Sequence, residues 1–322
     1  MSDVGGQERW GHLPREAQGD DLGNGKSRSG LLFGVGAYAS WGLFPAFFPL
    51  LKPASAFEIL AHRIIWCVAL MVVVIAAVRR LGDIRQITGR TWLLLTLASA
   101  LISVNWVIYI YAVNNGHVVD AALGYFINPL VTVALGLLVF GERLNRAQFA
   151  ALGIAVIAVV VLTVQVGSLP VIGLGLALSF GLYGAIKKVV PVDPRVSVGI
   201  EAGLAAPFAV AYIVVLQVTN RGTFTDHGPG HVVLMILSGV FTALPLLLFA
   251  AAAQRLPLVT MGLLFYLTPA MQLTWGVVVG HEPMPPARWL GFGLIWVALA
   301  VFTADALWRS RVDRRALESS SP

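Results

Sequence analysis

The feature that most constrains this chain is a rhythm of long apolar runs. About twenty apolar residues are followed by a short polar break, and the pattern recurs over nearly the whole length. A run of that size matches the ~20 residues a helix needs to cross the ~30 Å hydrocarbon core of a bilayer. The runs cover residues 31–51, 57–78, 92–113, 121–140, 147–166, 170–186, 197–217, 231–253, 257–279 and 289–308. The breaks carry turn formers: Lys52-Pro53, Asn114-Asn115-Gly116, Gly167-Ser168, Pro191 and Pro194, and Pro283 to Pro286. Composition closes the other routes. Of 322 residues 57% are hydrophobic and 12% charged, against roughly 25% charged in a soluble domain. Mean hydropathy is +0.81. Disorder, collagen and a small disulfide scaffold are excluded. The expected fold class is an all-α integral membrane protein with ten transmembrane helices.

Basic residues set the orientation. With the N-terminus inside, Lys52, Arg221 and Arg288 fall on the outer side and Arg63 within a span; the rest of the 22 Lys and Arg are cytoplasmic. This asymmetry predicts that both termini are cytoplasmic. The net charge of +6 then belongs to cytoplasmic loops, not to a nucleic-acid surface. Residues 1–29 lack the apolar core of a signal peptide and read as a disordered cytoplasmic tail. Residues 309–322 read as a basic cytoplasmic tail. Gly25-Lys26-Ser27 resembles the end of a phosphate-binding loop, but Asp20 stands where the motif needs Gly. The single cysteine, Cys67, cannot form an internal disulfide.

The chain repeats itself. At an offset of 140, Pro129 meets Pro269, Gly136 meets Gly276, Glu142 meets Glu282, Gly153 meets Gly293 and Ala158 meets Ala298. At 139, Gly34, Gly36, Ser40, Gly42 and Leu43 meet Gly173, Gly175, Ser179, Gly181 and Leu182. The unit holds five spans, an odd number, so its second copy must sit upside down. Residues 30–166 form the first repeat and 167–308 the second. Inverted repeats are the architecture of alternating-access transporters, with the site near the midplane.

Several polar residues stand inside these spans. Glu58 and His62 are four apart on one helix face, and Arg63 lies about 140° round from Glu58. A charge at a helix centre costs roughly 2.5–3.5 kcal/mol. The three therefore form either a polar site, with Arg63 holding an anionic group and Glu58 and His62 changing protonation, or a structural cluster near the interface. Glu201 either pairs with Arg63 or another donor, or titrates in the transport path. Asn105 and Tyr109 share a face that suits a cavity. Tyr125, Asn128 and Pro129 in one half match Phe265-Tyr266, Thr268 and Pro269 in the other. Each Pro frees a carbonyl one turn back, a pointer to a site or hinge in both halves. Trp41 either closes over substrate or packs against lipid. Glu142 and Glu282 are expected to cap the adjoining helices or to pair with a basic neighbour, rather than to bind substrate. The six His residues lack metal-ligand spacing, and no hydrolase or metalloenzyme motif is present. No cofactor, no metal and no enzyme activity is expected.

The segments Glu58-Ile59-Leu60-Ala61-His62-Arg63-Ile64-Ile65-Trp66, Ala112-Val113-Asn114-Asn115, Gly124-Tyr125-Phe126-Ile127-Asn128-Pro129-Leu130-Val131 and Gly141-Glu142-Arg143 carry a resemblance. So do Gly167-Ser168-Leu169-Pro170 and Ile295-Trp296-Val297-Ala298-Leu299-Ala300. Together they resemble the RarD branch of the EamA family, within the drug/metabolite transporter superfamily, over residues 30–308. The resemblance implies two EamA repeats, a bacterial inner-membrane location, and export or exchange of small metabolites or drug-like solutes. The second repeat departs from the first, with Thr268 at the Asn-Pro position and His281-Glu282 in place of Gly-Glu, so the halves need not contribute equally. The expected partners are a small-molecule substrate, the lipid bilayer and a proton as coupling ion, with no nucleic acid. A non-transporting receptor or assembly module, and a membrane-embedded enzyme on lipid-linked substrates, are the competing classes.

Overall fold

The computed structural model of the protein describes residues 16–77, 87–141, 143–256 and 258–320. Among them there are helices and no strand: α1 (Glu16–Gly42), α2 (Phe44–Phe47), a 3-10 turn at Phe48–Leu51, α3 (Ala56–Ala77), α4 (Gly89–Asn114), α5 (Val118–Phe140), α6 (Arg146–Val166), α7 (Val171–Val189), α8 (Pro194–Val218), α9 (Gly228–Ala253), α10 (Leu258–Phe265), α11 (Leu267–Val278) and α12 (Pro286–Ser320). In a bilayer every backbone polar group needs an internal partner, and a helix supplies one within its own segment. Nine described stretches are long and apolar enough to span, with α10 and α11 together making one of them. The tenth is α1 continued through α2 and the 3-10 turn, bent by 43°. The all-helical membrane fold expected from the apolar rhythm is therefore the one observed.

The differences from expectation have local causes. Residues 16–29, expected as a disordered tail, are helical from Glu16, and α12 likewise runs on to Ser320. Extending an existing helix needs no new nucleus, so polar residues can be carried at its end. The two matched prolines behave differently. Pro129 lies inside an unbroken α5. Pro269 follows a break at Tyr266 between α10 and α11, one turn past the Phe265 carbonyl that it cannot satisfy.

The two halves pack mainly on each other. The larger interfaces join α1 and α3 to α9, α3 to α8, α4 and α5 to α7, and α6 to α12. Exchanging the halves turns α1 on α9 into α7 on α4, as two repeats related by a two-fold axis require. Small residues permit the tightest crossings. A Cβ on Gly124 of α5 would sit 2.5 Å from the Gly173 carbonyl oxygen of α7. One on Gly239 of α9 would sit 2.7 Å from the Cys67 amide nitrogen of α3. Glu282 does not cap α12. Its carboxylate accepts from the amides of Val118 at 2.5 Å and Val119 at 2.9 Å, and so caps the N-terminus of α5 from the other half. Glu142, its repeat mate, lies outside the described residues.

Candidate functional site

Between the halves lies a cavity of about 1000 Å³. Its walls come from both repeats. Its lining runs from Phe44, Arg63, Tyr109 and Gln272 in the interior to Lys187, Val190, Asp193 and Gln254 at the end where α7 meets α8 and α9 meets α10. The opposite end is closed by a core that includes Phe48, Leu51, Val113, Val118 and Met235.

Arg63 sits at the deep end, only 2% exposed. Its Nε donates to the Thr242 hydroxyl of α9. Its guanidinium faces Trp106 at 4.4 Å, Phe44 at 5.1 Å and Phe48 at 5.4 Å. Aromatic faces stabilise a desolvated cation, but they leave the edges of the fork free. Among the described residues no carboxylate pairs with it, and its Nη1 has no hydrogen-bond partner. Two further polar atoms nearby are also unpartnered, the Tyr109 hydroxyl and the Gln272 side-chain oxygen. The nitrogen end of the Gln272 amide donates to the Trp41 carbonyl at 3.3 Å. Buried polar groups are nearly always paired. A donor edge, a hydroxyl and an acceptor left open on α3, α4 and α11 are what a polar ligand would complete.

A second charged group stands at the mouth. Glu201 of α8 is 4% exposed. It accepts from Lys187 at 2.6 Å, from Ser197 at 2.7 Å and from the Tyr183 hydroxyl at 3.0 Å. Thus Glu201 pairs with Lys187 and not with Arg63.

The structure gathers Trp41, Arg63, Asn105, Tyr109, Tyr125, Asn128, Pro129, Glu201, Tyr266 and Thr268 onto one cavity. Some of these are already engaged. The Asn105 amide donates to Leu176 O and Ser179 Oγ, both at 3.0 Å. Asn128 donates to Ala177 O at 3.2 Å, and Thr268 to Tyr38 O at 2.8 Å. Pro269 is buried but does not line the cavity. Glu58 and His62 do not line it either. The Glu58 carboxylate accepts from the Thr223 amide at 2.6 Å, and the His62 ring stacks on Phe224 at 4.3 Å. They hold the α8–α9 connection, at the end away from the mouth. The reason is helix geometry: at 100° per residue Arg63 points about 140° away from Glu58, so one face of α3 takes the loop and another the cavity.

Gln272, Thr242 and Lys187 also line the cavity, beyond the residues that the sequence singled out. Gln272 had a signal, standing one turn beyond Thr268 on the same face of an apolar span. Lys187 looked like a topology charge at a helix end. Thr242 had none, because Thr is ordinary in a membrane helix. Among the described residues no group of His, Cys, Asp and Glu is arranged to hold a metal ion.

Comparison with known proteins bears on most of the chain. The model of the EamA-like transporter family matches twice, over residues 28–164 and 169–304. Protein RarD of Streptomyces exfoliatus is 48% identical, over 92% of this chain and 95% of that one. The uncharacterized transporter YojE of Bacillus subtilis is 41% identical, over 88% and 97%. Protein RarD of Escherichia coli K12 is 37% identical, over 89% and 97%. A crystal structure aligns with a TM-score of 0.55 at 18% identity, over 85% of this chain and 97% of that one, a likeness of fold alone.

Proposed function

This chain belongs to the EamA-like transporter family, and we propose that it is a secondary transporter that carries small organic anions by alternating access. It is a multi-pass membrane protein, and its bacterial relatives support placing it in a bacterial inner membrane. The observation that carries the reading is the Arg63 guanidinium, buried on the cavity floor with an unpartnered Nη1. A lone buried cation is costly, and an anionic solute is the partner that offsets it. Arg suits this task because its planar fork meets a carboxylate or phosphate through two parallel bonds. With the basic residues placed inside, the mouth at Lys187 and Gln254 opens to the cytoplasm, and the conformation is inward-open. Rocking of the halves about the interior would expose the same floor to the other side. Any solute that drives this must bind the two states with different affinity. Family resemblance favours export or exchange as the direction.

The test is a metabolite screen on sealed vesicles carrying the purified protein, with and without a pH gradient. Wild type should move at least one organic anion. Arg63→Ala should raise its KM roughly thirty-fold or more, from the 2 kcal/mol or more that a buried charge pair typically loses on truncation. Arg63→Lys should fall between, keeping charge but losing the fork. An unchanged KM removes Arg63 from binding. Binding without flux across sealed vesicles points instead to a non-transporting membrane module.

A further inference from the structure

The cavity holds a second cation, Lys187, whose situation is the reverse of that of Arg63. Arg63 has aromatic neighbours and an open edge. Lys187 is held by the Glu201 carboxylate at 2.6 Å and by Ser197. The two lie at different depths. Met71, packed with Ala202 beside Glu201, is eight residues beyond Arg63 on α3, roughly 12 Å at 1.5 Å per residue. A solute leaving Arg63 for the mouth therefore passes Lys187.

As the pair stands, Lys187 is not available to an anion, because Glu201 already neutralises it. A solute anion approaching Lys187 competes with that carboxylate. Adding the anion alone would leave a net negative charge beside the buried Glu201 carboxylate, which is costly. Adding a proton with it removes the cost. Ammonium plus carboxylate sums to zero, and so does ammonium plus solute anion plus neutral carboxylic acid.

We propose that Lys187 and Glu201 form a proton-linked anion station: a proton taken up by Glu201 releases the Lys187 ammonium, which then holds the anionic group of the solute at the mouth. The inference rests on the anion-transport reading above and adds where a proton enters it. The proton comes from the aqueous side on which the mouth opens, and no covalent bond other than its O–H is made. Anion and proton then travel together and electroneutrally, so the direction of flux follows the sum of their gradients. The groups around Glu201 fit such a switch. Tyr183 and Lys187 of α7 face it, and Ser197 lies on its own helix. Ser99 of α4 bonds its backbone carbonyl at 2.6 Å. The nearby α3 residues Met71 and Ile75 are apolar, and the one titratable side chain of α9, His231, is at the far end. Asp193 lines the same mouth.

The experiment uses full-length protein in detergent and benzenesulfonate, a permanent anion with no proton of its own to give. Calorimetric titration in two buffers of unlike ionisation heat counts the protons taken up. Arg63→Met removes the deep anchor with little change of volume, so that the mouth is read by itself. This variant should bind one benzenesulfonate, take up about one proton with it, and gain about tenfold in affinity per unit fall in pH, as one-proton linkage requires. Adding Glu201→Gln should leave binding with no proton uptake and a flat pH profile. Adding Lys187→Gln should abolish it. Wild type, with both anchors, should bind two anions and still take up about one proton, a count that does not depend on recovering the variants. Binding without proton uptake, or a pH slope that survives Glu201→Gln, overturns the proposal. So does loss of all binding in Arg63→Met while wild type binds without a proton, an outcome that leaves the transport reading standing. Wild type that ignores benzenesulfonate, or takes neutral benzenesulfonamide equally well, overturns the anion reading itself.

Discussion

The two halves of this protein share a frame and differ in what they hang on it. Asn128 of α5 donates to the carbonyl of Ala177, and Thr268 of α11 donates to that of Tyr38. Those four residues are repeat mates, so two different side chains make the same bond in the two halves. The frame is thus preserved at the crossing of the proline-bearing helices. The charges are not. Phe44 and Phe48, which flank Arg63, correspond to Tyr183 and Lys187, which hold Glu201. At the same offset Arg63 itself corresponds to Ala202 and His62 to Glu201. One half supplies a cation in an aromatic bed, the other an ion pair. A duplicated scaffold with unlike side chains thereby gives a single cavity a polar axis.

The backbones differ as well. Gly124 meets Gly173 at backbone contact, whereas its repeat mate is Leu264, which meets Gly34 through its side chain, 2.7 Å from where a Cβ would stand. Making the first half like the second by Gly124→Leu should give the largest effect. A side chain 2.5 Å from a carbonyl oxygen must push α5 from α7, at a cost of about 3 kcal/mol or more. Thermal unfolding in detergent should fall by many degrees, if folded protein is recovered at all. Gly153→Ala, with nothing within 4 Å, should leave it nearly unchanged. Equal, small shifts for both would break the comparison.

The next effect in size concerns Glu282. Glu282→Ala uncaps two amides of α5, a buried N-terminus with a charge-assisted partner, and should cost about 1–3 kcal/mol. Glu282→Gln keeps one acceptor and should cost less. Thermal stability measures both. No loss in either would mean that the cross-half clasp adds nothing. The smallest effect sharpens the comparison most. Asn128→Ala and Thr268→Val each remove one buried hydrogen bond, at about 1 kcal/mol. If the frame is mechanically symmetric the two unfolding shifts should match; a twofold difference would show that the halves bear unequal load.

Much of the fold was legible in the sequence because bilayer thickness acts on the chain in one dimension. Spans of about twenty residues, their recurrence and their offset of 139–140 need no knowledge of contacts. The break near Pro269 was legible too, since a proline lacks its donor wherever it stands. That Pro129 leaves its helix unbroken was not. The neighbours of the two proline-bearing helices differ, α7 meeting Gly124 at backbone contact where Leu264 meets Gly34 through its side chain, and periodicity carries no information about the neighbour.

The cavity residues divide in the same way. Sequence alone marked Glu58, His62 and Arg63 as polar groups too costly to face lipid, and so required that they face protein or a cavity. Only the tertiary structure decided their partners. It turned Glu58 and His62 to the α8–α9 connection, left Arg63 without a carboxylate, gave Glu201 to Lys187, and sent Glu282 across to α5. The cost of a buried charge depends on the chain's composition and the bilayer, whereas its partner depends on the rotation of each helix against the opposite half, which close packing sets.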